Sequence, residues 1–176
     1  MTPQSLIAAV AEKELGVHET SPNQGPGIAK YWLATTYPNG MIDRQPWCSA
    51  FVSWCVQEAD QLSPLLSLPI PPRFPAVAQW RAWALANGCE LFTFSDPSYI
   101  PMAGDILVLS PKVSHITIIV RDGWQSTPDG RAAATVEGNS NDDGSRDGRE
   151  VVRHLRHPSR FPAATALRLP ARALPA

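Results

Sequence analysis

The chain predicts an α+β domain in which N-terminal helices pack on a later antiparallel sheet. Three observations carry this expectation. Apolar residues recur at helical spacing, between helix start and stop signals, up to about residue 87. From residue 103 the pattern changes to short, β-branched apolar runs divided by turn signals. Helices first and antiparallel strands later is the order of an α+β fold rather than of alternating βαβ units.

Thr2 can cap a helix with Pro3 at its first position and Leu6, Ile7, Val10 and Leu15 on one face, stopped by Gly16. A polar loop, Thr20 to Gly25, leads to a second helix from about Pro26 through Tyr31 and Trp32. Pro46 cannot continue a helix, while Phe51, Val52, Cys55, Val56 and Ala59 recur at helical spacing. A third helix is therefore expected to begin at or within one residue of Cys48. A proline-rich connector, Ser63 to Pro75, precedes a fourth helix over Ala76–Asn87, closed by Gly88. The expected strands are Asp105–Ser110, His115–Arg121, Ala132–Glu137 and Val151–Leu155. Their turns fall at Pro111-Lys112, at Thr127 to Gly130 and at Asn141 to Gly144. One domain is expected over 1–169, with 170–176 a loose tail.

At 176 residues the chain can bury a core without covalent staples. It holds no run of about 18 uncharged apolar residues, so membrane insertion is not expected. The first residues lack the basic start and long apolar stretch of a leader, and no signal peptide is predicted. Net charge is −1 but unevenly spread. Residues 144–176 hold 7 Arg against 2 acids, which predicts a solvated face of late strands. Basic and aromatic residues do not interleave, which argues against nucleic acid.

Cys48 is the residue to explain. At a helix N-terminus the unpaired N–H groups and the dipole favour an anion. A thiol so placed, with a cation nearby, can titrate at roughly 3.5–7.5 rather than about 8.5. Three cysteines leave at least one free. Cys48 and Cys55, seven residues apart on one helix, lie about 10.5 Å apart, beyond the roughly 7 Å reach of a disulfide. Cys55 reads as core, and Cys89 is assigned no role.

A thiolate nucleophile needs a base, and the base needs an orienting group. His115 opens an apolar strand, from whose end its ring can reach a neighbouring helix. His18, His154 and His157 sit in a loop or in the arginine-rich tail. Glu137 and Asn139 end the next strand, two positions apart, and either could accept from the imidazole. Residues Asn139 to Glu150 nearly fit a twelve-residue calcium loop. Asn at the first ligand position, Arg146 and flanking strand patterns argue against it. No Cys/His zinc spacing is present, so neither metal nor cofactor is expected.

The order Cys, His, then Glu/Asn resembles the CHAP and NlpC-type branch of papain-like peptidoglycan hydrolases. The resemblance rests on Gly16-Val17-His18-Glu19, Gly25-Pro26 with Tyr31-Trp32, Pro46-Trp47-Cys48-Ser49-Ala50-Phe51-Val52, Ala103-Gly104-Asp105-Ile106, Ser114-His115-Ile116 and Glu137-Gly138-Asn139-Ser140. It spans about residues 5–155. Many relatives have Gly-His where this chain has Ser114-His115. The resemblance implies a papain-like fold with Cys48 as nucleophile, His115 as base, and Asn139 or a carboxylate such as Glu137 as orienter.

It further implies an enzyme cleaving a murein amide, as a muramoyl–L-alanine amidase or a stem-peptide endopeptidase, and a monomer is expected. Gln45 is a candidate second oxyanion donor. Glu19, Tyr31, Trp32, Asp43 and Trp47 are candidates to line or rim the substrate groove. Synthesis in the cytoplasm followed by holin release (a phage endolysin) or by secretion (an antibacterial effector met by an immunity protein) is the expected route to the wall. The rival readings are a protease or deamidase acting on protein, and an inactive wall-binding module.

Overall fold

Thr2 Oγ1 accepts from the N–H of Ser5 at 3.1 Å and starts α1, Pro3–Lys13. The computed structural model describes residues 2–63, 71–141 and 148–170. Helix α2 is Pro26–Leu33, and a 3₁₀ turn spans Pro38–Met41. Helix α3 runs Cys48–Leu62 and α4 Ala78–Ala86. The strands are β1 Glu90–Thr93, β2 Ile106–Val108, β3 Ile116–Ile119, β4 Gln125–Thr127, β5 Gly130–Ser140, β6 Glu150–Arg156 and β7 Thr165–Arg168. The fold is α+β: helices before an antiparallel sheet.

The sheet order is β1-β7-β2-β3-β5-β4, with β6 also paired to β5. Every pairing is antiparallel. Strand β5 is the longest and pairs with β3, β4 and β6, so it lies between the strand that follows His115 and the strand that ends at Arg156. Helix α3 packs on β3 and β5. Phe51, Val52, Cys55 and Val56 meet Ile116, Ile118 and Val136 in the main core. A second apolar cluster, with Phe94, Tyr99, Leu107, Ile119 and Ala133, fills another part of the sheet.

The close approach of α3 to β5 depends on Gly138. A Cβ there would stand 2.7 Å from Phe51 Cβ and from the Trp47 ring, closer than packed atoms allow. The connector is pinned to α3 by two serines. Ser49 Oγ and Ser53 Oγ donate to the Phe74 carbonyl at 2.8 and 3.1 Å. Ser53 Oγ also accepts from the Phe74 N–H at 2.9 Å, and Ser49 Oγ from Trp80 Nε1 at 2.8 Å.

The expected helices are all present, and Cys48 is the first residue of its helix. The four expected strands are present too, although β5 extends further at both ends than its apolar run suggested. Strands β1, β4 and β7 are additions. The arginine-rich segment is not simply a solvated face: Arg156 is 7 % exposed, and Arg168 pairs with fully buried Asp105 at 2.8 Å. The expected tail beyond residue 170 and the middle of the connector and of the calcium-like loop lie outside the described residues. No helix among the described residues is long and apolar enough to cross a membrane.

Candidate active site

Cys48 lies at the first turn of α3, where N–H groups have no intrahelical acceptor. Its position is set by the residue before it. The Trp47 N–H donates to Asn139 Oδ1 at 2.9 Å, and Trp47 Nε1 donates to Glu19 Oε1 at 2.6 Å. The indole is fully buried and stacks on Tyr31 with centroids 5.5 Å apart. The start of α3 is thus fastened to β5 on one side and to the loop after α1 on the other.

His115 immediately precedes β3 and is 1 % exposed. Its Nε2–H donates to Glu137 Oε2 at 2.8 Å. Nε2 being engaged, Nδ1 is the nitrogen left for the sulfur. Nδ1 is buried and meets no protein atom in settled hydrogen-bond geometry. The Cys48 thiol nevertheless sits close enough to act on the ring's affinity for a proton. Such bonds often tighten only when substrate is bound. Burial pulls the imidazole's pKa down, but interactions with Cys48 and Glu137 outweigh it and push it up to about 9.

Glu137 is fully buried and saturated with donors. Thr135 Oγ1 donates to Oε1 at 2.8 Å, and Arg156 Nε donates to the same oxygen at 2.6 Å. Arg156 Nη2 and His115 Nε2 both address Oε2. Burial alone would raise the carboxyl's pKa, but His115 and Arg156 hold it well below the usual carboxylate range.

Glu137, not Asn139, therefore contacts the histidine. The two do not act from one strand face, because the β5–β6 register shifts between Glu137 and Ser140 and Asn139 takes a positive φ of 57°. Asn139 instead fixes the N–H of Trp47. Thr135 and Arg156 were not foreseen. Thr135 could have been read from its i, i+2 spacing to Glu137, whereas Arg156 depends on the pairing of β6 with β5.

A pocket of about 250 Å³ opens at Cys48, lined by Trp32, Tyr37, Gln45, Pro46, Ser49, Pro75, Ala76, Val77 and Ser114. None of these side chains carries a formal charge. Trp32 and Gln45 are thus among the residues that line it. Gln45 is exposed, and its side-chain amide donates to the Asp43 carbonyl at 3.0 Å. Trp32 Nε1 is buried without a protein partner. Asp43 is exposed outside the pocket lining and accepts from the Tyr37 hydroxyl.

Glu19, Tyr31 and Trp47 correct the expectation that they line a groove. All three are buried and absent from the pocket lining. Glu19 also accepts from the Asn23 N–H at 2.7 Å, and Tyr31 donates to Glu14 Oε2 at 2.6 Å. Their internal partners make them supports for the site rather than its surface.

Cys48, Cys55 and Cys89 are all free thiols. Burial raises the pKa of Cys55 strongly, and that of Cys89 to about 11, so both stay protonated at neutral pH. No group of three or more His, Cys, Asp and Glu among the described residues could hold a metal ion. Comparison with family models, with curated proteins and with solved structures finds no match to this chain.

Proposed function

We propose that this chain is a papain-like cysteine amidohydrolase and that its substrate is peptidoglycan. One observation carries the chemistry: a buried histidine fixed through Nε2 by an ionised carboxylate leaves Nδ1 to a cysteine at a helix N-terminus, beside an open pocket. The substrate class is supported by the likeness of Trp47-Cys48-Ser49-Ala50-Phe51-Val52 and Gly104-Asp105-Ile106 with Ser114-His115 to wall hydrolases.

In this reading the Cys48 thiol first passes its proton to His115 Nδ1, and the resulting thiolate attacks an amide carbonyl. The oxyanion is met by the N–H of Cys48, with the remaining amide hydrogen of Gln45 as second donor; losing one such donor costs about 10²–10³-fold. The imidazolium then protonates the leaving amine as the C–N bond breaks. Water, deprotonated by His115, attacks the thioester and frees the acid and the thiol. The cut falls on the muramoyl–L-alanine amide or within the stem peptide. Delivery is by holin release or by secretion, the latter with an immunity protein covering the Cys48 pocket.

Purified sacculi test the proposal. Wild-type protein is expected to release soluble muropeptides, and Cys48→Ala none. Mass spectrometry of the new termini identifies the bond. Tight sacculus binding without products would mean a wall-binding module. Activity confined to proteins would mean a protease or deamidase.

A further inference from the structure

The pairing of β5 with β6 places Arg156 opposite Ala133, with Thr135 and Glu137 following on the same strand. Cross-strand partners share a face, and alternate residues of one strand share it too. The small side chain of Ala133 leaves room above it. The long arginine stem can therefore run along β5, past Thr135, to the carboxylate of Glu137.

There the guanidinium meets both carboxylate oxygens, Nε on Oε1 at 2.6 Å and Nη2 on Oε2. Its Cζ stands 5.6 Å from the centre of the Phe161 ring, which covers part of the cation. Arginine suits this place for two reasons. Its planar fork fixes the plane of a carboxylate, which a single ammonium cannot do. It also stays charged throughout the range in which histidine and carboxylates titrate.

We propose that Arg156 is a fourth, positioning member of the Cys48–His115–Glu137 site. It holds Glu137 ionised and turned so that Oε2 always receives the Nε2–H of His115. That selects one imidazole tautomer and leaves the Nδ1 lone pair for the thiol proton. Without the cation, a fully buried carboxylate would keep His115 as its one counter-charge, with only the Thr135 hydroxyl beside it. It would then accept a proton whenever the histidine gave one up, and the ring could turn.

The inference rests on reading Cys48 and His115 as nucleophile and base. Its main test accordingly needs no murein. Iodoacetamide alkylation of Cys48, followed by peptide mass across pH, reads the thiol–imidazole pair directly. The wild type should show no acid limb from Glu137. Arg156→Gln is expected to gain one, because burial then raises the Glu137 pKa unopposed by the guanidinium. Its sacculus hydrolysis should lose kcat with KM unchanged, by less than the about 10²–10⁴-fold expected for losing the base itself. Arg156→Lys keeps the charge beside the buried carboxylate, and should regain the alkylation profile but only part of kcat.

A glutamine variant with the wild-type alkylation profile and kcat overturns the proposal. Should that variant fail to fold, the lysine variant decides alone, and wild-type kcat in it overturns the orienting role. A wild type whose alkylation depends on His115 but which releases nothing from sacculi refutes the substrate and leaves Arg156 in place. Identical alkylation of wild type and His115→Ala removes the pair, and the inference with it.

Discussion

His115 and Glu137 lie 22 positions apart in sequence, yet their hydrogen bond spans 2.8 Å and both side chains are essentially sealed from solvent. A carboxylate and an imidazole so buried are costly to desolvate. The surrounding donors offset that cost only while the geometry holds, so the pair is poised and substitutions at it are expected to be severe.

Replacing Cys48 by alanine is expected to abolish hydrolysis while leaving the Tm close to that of the wild type. The side chain is small and lines the pocket, so its loss should cost the fold little beyond the support it gives the His115 proton. His115→Ala should reduce the rate by about 10²–10⁴-fold. Comparable rates for all three proteins, measured on one batch of sacculi, would remove Cys48 from the chemistry.

Glu137→Gln separates the two candidate orienters. The amide keeps the size of the side chain but removes the charge that supports His115 and leaves Arg156 buried opposite a neutral group. Breaking a buried pair costs about 3–5 kcal/mol, so denaturant midpoints should fall together with kcat. Asn139→Gly, which keeps the positive φ accessible, should lower stability by about 1–3 kcal/mol through the stranded Trp47 N–H. Its effect on kcat should be far smaller. A larger kcat loss in the glycine variant than in Glu137→Gln would reverse the assignment.

The punctuation of the helices was legible in the sequence because it is local. Thr2, Pro26, Pro46 and Gly88 act through φ, capping and missing donors within a few residues. Cys48 and His115 could be picked out for the same reason, one by its helix start and the other by its strand start. The choice between Glu137 and Asn139 was not legible, because the irregularity that parts them exists only in the pairing with β6. Strand β7, Thr165–Arg168, carries too short a pattern to stand out and is defined by β1 and β2 on either side. Arg156 looked like surface charge because nothing near it in sequence reveals a buried partner 19 residues away.

The pH dependence follows from the sign of the histidine shift. With a pKa pushed up to about 9 by Cys48 and Glu137 against the opposing effect of burial, His115 stays protonated through neutral pH. In the proposed reaction the imidazolium protonates the leaving amine, so kcat/KM should decline as pH rises through about 9. The raised value also means that this group stabilises the fold fully below its unfolded value of about 6.5. That contribution fades as pH climbs to about 9. Glu137→Gln removes one of the two supports and should bring the decline to lower pH. A basic limb unmoved by that substitution would show that another group titrates there.

Glu19 provides the last test, because it separates support of the site from contact with substrate. Its carboxylate receives Trp47 Nε1 at 2.6 Å and the Asn23 N–H at 2.7 Å, with the side chain buried. Glu19→Ala strands the buried indole donor, which costs about 1–3 kcal/mol, and the part-buried backbone donor, which costs less. At about 2–4 °C per kcal/mol for a chain of this size, the Tm should fall by several degrees. Once the protein is folded, KM should be unchanged, since Glu19 does not line the pocket at Cys48. Trp32→Phe makes the converse comparison: it removes the unpartnered Nε1–H together with one of the two fused rings in the pocket wall, so KM should rise. A raised KM with an unaltered Tm in Glu19→Ala would place that carboxylate in the groove after all.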